Sequence, residues 1–208
     1  MCASYGLQAS VSEMEGLFQF DERPGSADVA GWLERYSADV VKPTGRIERK
    51  LNPIVRADPT GRTADLGWWG FLVGGLPAKF PSINTRSERL RDTPATARSR
   101  ALVPATEWFE FEKLSKQKWR FSTGGLLAMA AVTQAGRPVD GEPVTCYSII
   151  MQPARPDQAH LHDRMPLLLP PSFFSDWLDP TAQPSADLIG AALDAGREMT
   201  ALVSVRPA

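Results

Sequence analysis

The residue with the most distinctive chemistry is Cys2, in Met1-Cys2-Ala3-Ser4-Tyr5. Initiator methionine is commonly trimmed when a small residue follows. Trimming would give Cys2 a free α-amine (reference pKa about 7.7–8.0) beside its own thiol (about 8.5). Both would be partly nucleophilic near neutrality. A 1,2-aminothiol condenses with an aldehyde to an imine, and the thiol then closes a thiazolidine ring. Cys2 could also be a small residue at the chain's edge with no role, and position alone leaves both readings open.

A second candidate is Glu110, inside Trp108-Phe109-Glu110-Phe111. Strand alternation places Trp108, Glu110 and Glu112 on one face and Phe109 and Phe111 on the other. That face is either solvated or the lining of a cleft. In a cleft, desolvation would raise the carboxyl pKa and make Glu110 a proton shuttle. The two histidines, His160 and His162, are spaced i, i+2 in His160-Leu161-His162-Asp163-Arg164-Met165-Pro166. An extended segment would point both the same way and Asp163 the other. No Cys/His spacing typical of zinc occurs. A single histidine acting as acid or base, ordered by Asp163 or Arg164, is the stronger functional reading; a histidine with no role remains the alternative. Cys146 lies in a β-type run, Val144 to Ile150, and is expected in the core.

These groups need a scaffold. The chain has 208 residues, 43% hydrophobic and 23% charged, enough for one globular domain over 1–208. Eighteen prolines and sixteen glycines favour strands and loops over helices. With a net charge of −1 and pI near 6.1, any nucleic-acid binding must come from a local patch. Arg86, Arg89, Arg91, Arg98 and Arg100 form one basic stretch, and Arg46, Arg49, Lys50 and Arg56 another; both are solvated faces or phosphate contacts. Two cysteines and no signal peptide indicate a reducing compartment, with a cytoplasmic location expected. No apolar run approaches the roughly 18–20 residues a bilayer needs.

The spacing predicts a helix over 28–36, capped by Ser26. Lys42 to Gly45 reads as a turn. Strands are expected near 46–55, 66–73, 101–111 (broken or bulged near Pro104), 119–122, 126–132, 144–151, 165–169 and 201–205. Thr123-Gly124-Gly125 reads as a hairpin turn. The stretch 84–100 reads as irregular with a helical turn, and helices are expected over 172–178 and 186–193. The fold class is α+β, a single domain around a mostly antiparallel, curled or barrel-like sheet flanked by short helices.

In this order, Met1-Cys2, Trp69-Gly70-Phe71, Ile83-Asn84-Thr85-Arg86-Ser87-Glu88, Leu102-Val103-Pro104-Ala105 leading to Phe109-Glu110-Phe111, and His162-Asp163-Arg164-Met165-Pro166 resemble the SRAP family of SOS-response-associated, abasic-site-processing proteins. The resemblance spans Cys2 to about Leu178. It implies that Cys2, after loss of Met1, crosslinks to the ring-opened aldehyde of an abasic site in single-stranded DNA. It further implies that Asn84 orients the open sugar or the N-terminal residue, Glu110 moves protons, and His162 assists sugar ring opening. Arg86 would contact phosphate. Trp69, Arg164, Lys42 and Leu76 complete the DNA-binding set. Cys2 would also be the nucleophile for autoproteolytic removal of Met1. No metal or organic cofactor is implied, and the protein is expected to be a monomer with no membrane partner, nucleoid-associated in a bacterial or phage setting.

Three departures from the family pattern stand out. Ala3 and Ser4 occupy the places of a glycine and an arginine. Lys42 stands roughly where an asparagine precedes an Ala-Pro pair. Gly74-Gly75-Leu76 replaces a tryptophan-rich stretch, and Leu76 could wedge but would stack poorly on bases. Two other functions stay open from the sequence: a cysteine-nucleophile peptidase, and a non-catalytic single-strand-binding module.

Overall fold

A computed structural model describes residues 2–21, 23–43, 50–77, 82–139 and 141–208. In chain order the strands are β1 (Tyr5–Gly6), β2 (Val40–Val41), β3 (Leu51–Asp58), β4 (Gly61–Trp69), β5 (Leu72–Val73), β6 (Leu76–Pro77), β7 (Asn84–Arg86), β8 (Arg100–Ala105), β9 (Glu107–Phe111), β10 (Lys118–Ser122), β11 (Leu127–Gly136), β12 (Val144–Pro153), β13 (Arg164–Pro166) and β14 (Ser204–Pro207). The helices are α1 (Val11–Phe18), α2 (Pro24–Tyr36), α3 (Ser87–Asp92), α4 (Phe174–Leu178) and α5 (Ala186–Ala201).

Five strands close a barrel in the order β11-β8-β3-β4-β12, with β12 pairing back onto β11. All contacts are antiparallel except β4–β12. The composition explains the closure. Leu127 to Thr133 of β11 and every residue of β8 are buried, the near-continuous apolar pattern of strands covered on both faces. Barrel strand β12 runs beyond the closure and carries β13 antiparallel on one side and β7 parallel on the other. A separate antiparallel sheet, β14-β10-β9-β1-β2, lies alongside. The two are joined through β8 and β9, separated by Thr106 alone. The architecture is thus α+β with a barrel-like, mostly antiparallel core and short helices. No helix among the described residues is long and apolar enough to cross a membrane.

Several expectations are corrected. The break in 101–111 falls at Thr106, not Pro104, because the chain leaves the barrel there for the second sheet. Thr123-Gly124-Gly125 is not a hairpin turn. Strand β10 pairs with β9 and β14, whereas β11 pairs with β8 and β12, so the turn passes between sheets. Helix α2 begins at Pro24, whose missing N–H costs nothing in a first turn. Ser26 is therefore inside the helix, its hydroxyl donating to the Arg23 carbonyl at 2.6 Å. Helix α1 was not expected, although Ser10 and Glu13 make a capping box. The stretch 84–100 is more regular than expected, holding β7, α3 and a 3₁₀ turn over Pro94–Ala97. The strand expected over 46–55 is β3, from Leu51 to Asp58; Arg46 and Arg49, with Thr44, Gly45 and Met1, lie outside the described residues.

Buried Arg100 shows how the helical flank attaches. Its guanidinium donates to the carbonyls of Ala97, Trp177, Asp179 and Ala182 at 2.6–3.1 Å, tying acceptors at and beyond the end of α4 to the 3₁₀ turn that ends at Ala97.

Candidate functional site

Four elements deliver the expected chemistry to one place. Cys2 lies three residues before β1, and β1 is held between Val40–Val41 of β2 and Glu107–Trp108 of β9. Glu110 lies on β9, Asn84 begins β7, and His162 precedes β13. The site thus lies where the second sheet meets the extension of β12.

The contacts bring the four together. The Asn84 Nδ2 donates to the Cys2 carbonyl at 2.7 Å. His162 Nε2 is 3.8 Å from Glu110 Oε2. Burial pushes the Cys2 thiol well up, and the nearby Glu110 carboxylate opposes its ionisation further. Cys2 is fully buried, and its thiol reaches the Ser4 carbonyl at 3.8 Å. Alternation along β9 holds as read: Trp108 and Glu110 face inward, Phe111 is 54% exposed, and Phe109 packs beneath Lys118, whose Nζ is 3.8 Å from the ring centre.

Glu110 is only 4% exposed. Burial among Trp108 and its neighbours raises its pKa from 4.5 to about 7. A carboxyl titrating there holds and releases a proton with comparable ease near neutrality. Burial lowers the pKa of His162, so the imidazole is neutral. His162 Nδ1 lies 3.0 Å from both the backbone N–H and the carbonyl oxygen of Arg164, which fixes the ring and leaves Nε2 facing Glu110. The order expected from Asp163 or Arg164 thus comes from the Arg164 main chain. Asp163 is 3.5 Å from Nδ1 and also pairs with Lys113.

The expected DNA contacts separate. Arg86, Lys42 and Leu76 are exposed, Leu76 in the β5–β6 hairpin. Trp69 is corrected: it is 2% exposed, its indole N–H donates to the Ile83 carbonyl at 3.0 Å, and it stacks on Tyr147 and tilts against Tyr5. It supports the site from within and has no surface to offer a nucleic acid. Arg164 is held by Glu88, with Nη1 2.6 and 2.8 Å from its two carboxylate oxygens. This pins the loop carrying His162 to α3.

Sequence reasoning missed a buried polar chain behind the site. Tyr5 and Tyr147 share a hydrogen bond at 3.1 Å, and Asn52 Nδ2 donates to the Tyr147 hydroxyl at 3.3 Å. Burial pushes both phenols up, so both stay neutral. The available signal was Asn52 itself, an amide in the otherwise apolar run Leu51-Asn52-Pro53-Ile54-Val55. Cys146 is buried, as expected for a core thiol.

Over residues 1–207 the sequence matches the family described as SOS response associated peptidase (SRAP). The chain is 24% identical over 167 residues to abasic site processing protein YoqW of Bacillus subtilis (strain 168), covering 71% of this chain and 75% of that protein. It is 26% identical to abasic site processing protein YoaM of the same organism, covering 71% and 74%. Its fold is similar to the crystal structure of a protein from Bacteroides thetaiotaomicron, with a TM-score of 0.74 at 16% identity, covering 99% of this chain and 91% of that one. Ordered motifs, barrel and near-complete match agree: the chain belongs to the SOS response associated peptidase family.

Proposed function

We propose that this chain captures abasic sites in single-stranded DNA by a covalent thiazolidine link through Cys2, after Met1 has been removed. The observation that carries the reading is the convergence of Cys2, Asn84, Glu110 and His162 from four separate elements around one aminothiol precursor. The relatives' naming as abasic site processing proteins supports the choice of substrate.

The chemistry follows from the groups present. The Cys2 amine adds to the open-sugar aldehyde while protonated Glu110 gives its proton to the carbonyl oxygen. The carbinolamine loses water, Glu110 takes the proton released from nitrogen, and an imine remains. The thiol sulfur adds to the imine carbon, and its proton passes through Glu110 to nitrogen. The balance is aldehyde plus aminothiol giving thiazolidine plus water. His162 presents Nε2 to Glu110 across 3.8 Å and relays protons to and from its carboxyl group. Asn84 fixes the Cys2 main chain, and hence the direction in which nitrogen and sulfur are presented. Arg86, with Lys42 and Leu76, receives the strand, and Arg164 serves chiefly by placing His162. Removal of Met1 uses the same sulfur: it attacks the Met1 carbonyl, the peptide nitrogen leaves protonated, and water hydrolyses the thioester. The partner is DNA, the site is complete within one chain, which acts as a monomer, and the free thiol suits a reducing cytoplasm.

The test is incubation of the processed protein with single-stranded DNA bearing one abasic site, followed by denaturing electrophoresis. A denaturation-resistant adduct is expected, lost in Cys2→Ala. An adduct of equal yield in that variant would refute the aminothiol chemistry. Mass spectrometry of both proteins reports the first residue, separating failed processing from failed capture.

A further inference from the structure

Asn84 belongs to two places at once. Besides holding the Cys2 carbonyl, it lines a cavity of about 420 Å3 bounded by β7, the α3–Ala97 segment and the end of β11. That size falls within the range of small-ligand sites. Its charged lining consists of Arg89 and Arg98, with no carboxylate among the described lining residues. Both arginines are exposed, and neither is held in an ion pair among the described residues. Arg164 is bound to Glu88, Arg120 to Glu107, Arg56 to Asp65, Arg155 to Asp157 and Arg23 to Asp58. Two unneutralised guanidiniums beside hydroxyl donors make an anion site, because guanidinium pairs well with phosphate. Thr85, bonded through its hydroxyl to Ser148 at 2.8 Å, and Thr133 supply such hydroxyls, and half-buried Phe71 offers an apolar wall for a sugar or base.

We infer that this cavity receives the nucleotide flanking the lesion on one side, with its phosphate between Arg89 and Arg98. The inference rests on the proposed capture of abasic DNA and adds a directional subsite to it. A strand whose phosphate is anchored there passes Asn84 before reaching Cys2, so the lesion is delivered in one polarity.

The experiment uses Arg89→Gln/Arg98→Gln in the full chain, checked for an unchanged melting temperature. Three single-stranded oligonucleotides are compared: the abasic site internal, ending just 5′ of it, or ending just 3′ of it. Binding is followed by fluorescence anisotropy across a salt series, and adduct formation by denaturing gel. Loss of the one phosphate contact should flatten the slope of log affinity against log salt by about 0.7 for the internal substrate, at about 0.7 per neutralised phosphate on a single strand. The variant should also form adduct more slowly with the internal substrate and with one truncated substrate, yet match the wild type on the other, which lacks the nucleotide the cavity holds. An unchanged salt slope, or equal slowing on all three substrates, overturns the subsite. If the wild type forms no Cys2-dependent adduct but the slope still flattens on only two substrates, the subsite stands and the covalent reading falls.

Discussion

Replacing Glu110 with glutamine should make the protein more stable and less reactive, and the gain should depend on pH in a defined direction. The carboxyl titrates near 7 when folded, against 4.5 ordinarily. Below about pH 4.5 both folded and unfolded chains hold the proton, and the group contributes no difference. Between 4.5 and 7 the unfolded chain releases it while the folded chain keeps it, so stability falls as pH rises. Above 7 the loss levels off at about 3 kcal/mol, since each unit of displacement is worth about 1.4 kcal/mol. At pH 5 the loss is only about 1 kcal/mol by the same relation. Glutamine keeps the shape and cannot ionise. Glu110→Gln should therefore exceed the parent by up to about 3 kcal/mol at pH 8.5, which corresponds to roughly 6–12 °C for a chain of this length, with the gap narrowing towards pH 5. Urea unfolding followed by tryptophan fluorescence at both pH values measures it, on proteins shown by mass spectrometry to carry the same first residue. Adduct formation should drop by roughly 10²–10⁴, the range of a lost general acid–base group. A variant no more stable than the parent at pH 8.5, or a gap that does not change with pH, would refute the account of Glu110 as a desolvated proton carrier.

Two other substitutions probe the surroundings of the site. Tyr147→Phe deletes the hydroxyl that bonds Tyr5 and Asn52 and leaves the buried Tyr5 hydroxyl unsatisfied, costing about 1–3 kcal/mol in urea unfolding; the double variant with Tyr5→Phe should recover part of that, and strict additivity would deny the coupling. Glu88→Gln frees Arg164 and loosens the loop whose main chain orients His162, so adduct formation should slow several-fold while stability moves by less than about 1 kcal/mol, as for an exposed ion pair. An unchanged or faster reaction would show that pinning Arg164 is irrelevant.

What the sequence made legible differs between fold and site. The barrel strands announced themselves where burial is two-sided: Leu127 to Val132 is an uninterrupted apolar run, and so is most of β8. The amphipathic strand β10, Lys118-Trp119-Arg120-Phe121-Ser122, carries the opposite signature of a half-covered sheet, and that difference in pattern, rather than the Gly-Gly turn between them, tells that β10 and β11 belong to different sheets. Helix α1 was marked by Ser10 and Glu13 three residues apart, but its eight residues give little periodicity to read. The candidate site was legible by residue type at Cys2, Glu110 and His162 and by family pattern at Asn84. Their meeting was not, because local spacing says nothing of pairing between β1 and β9 or between β7 and β12. Trp69 failed for a related reason: an aromatic in an alternating strand looks the same whether it faces solvent or, as here, the tyrosines behind the site. The clamp of Glu88 on Arg164 spans 76 residues and has no local trace.

One residue, Thr106, separates barrel strand β8 from site strand β9, and its amide and hydroxyl are both bound to the Gly6 carbonyl at the end of β1. With so short a tether, the reactive edge cannot fray while the barrel stays shut. Amide exchange along Glu107–Phe111 should be as slow as along Arg100–Ala105, both opening only through whole-chain unfolding. Heat or denaturant should accordingly extinguish reactivity and barrel in a single cooperative step, with no intact but inert intermediate.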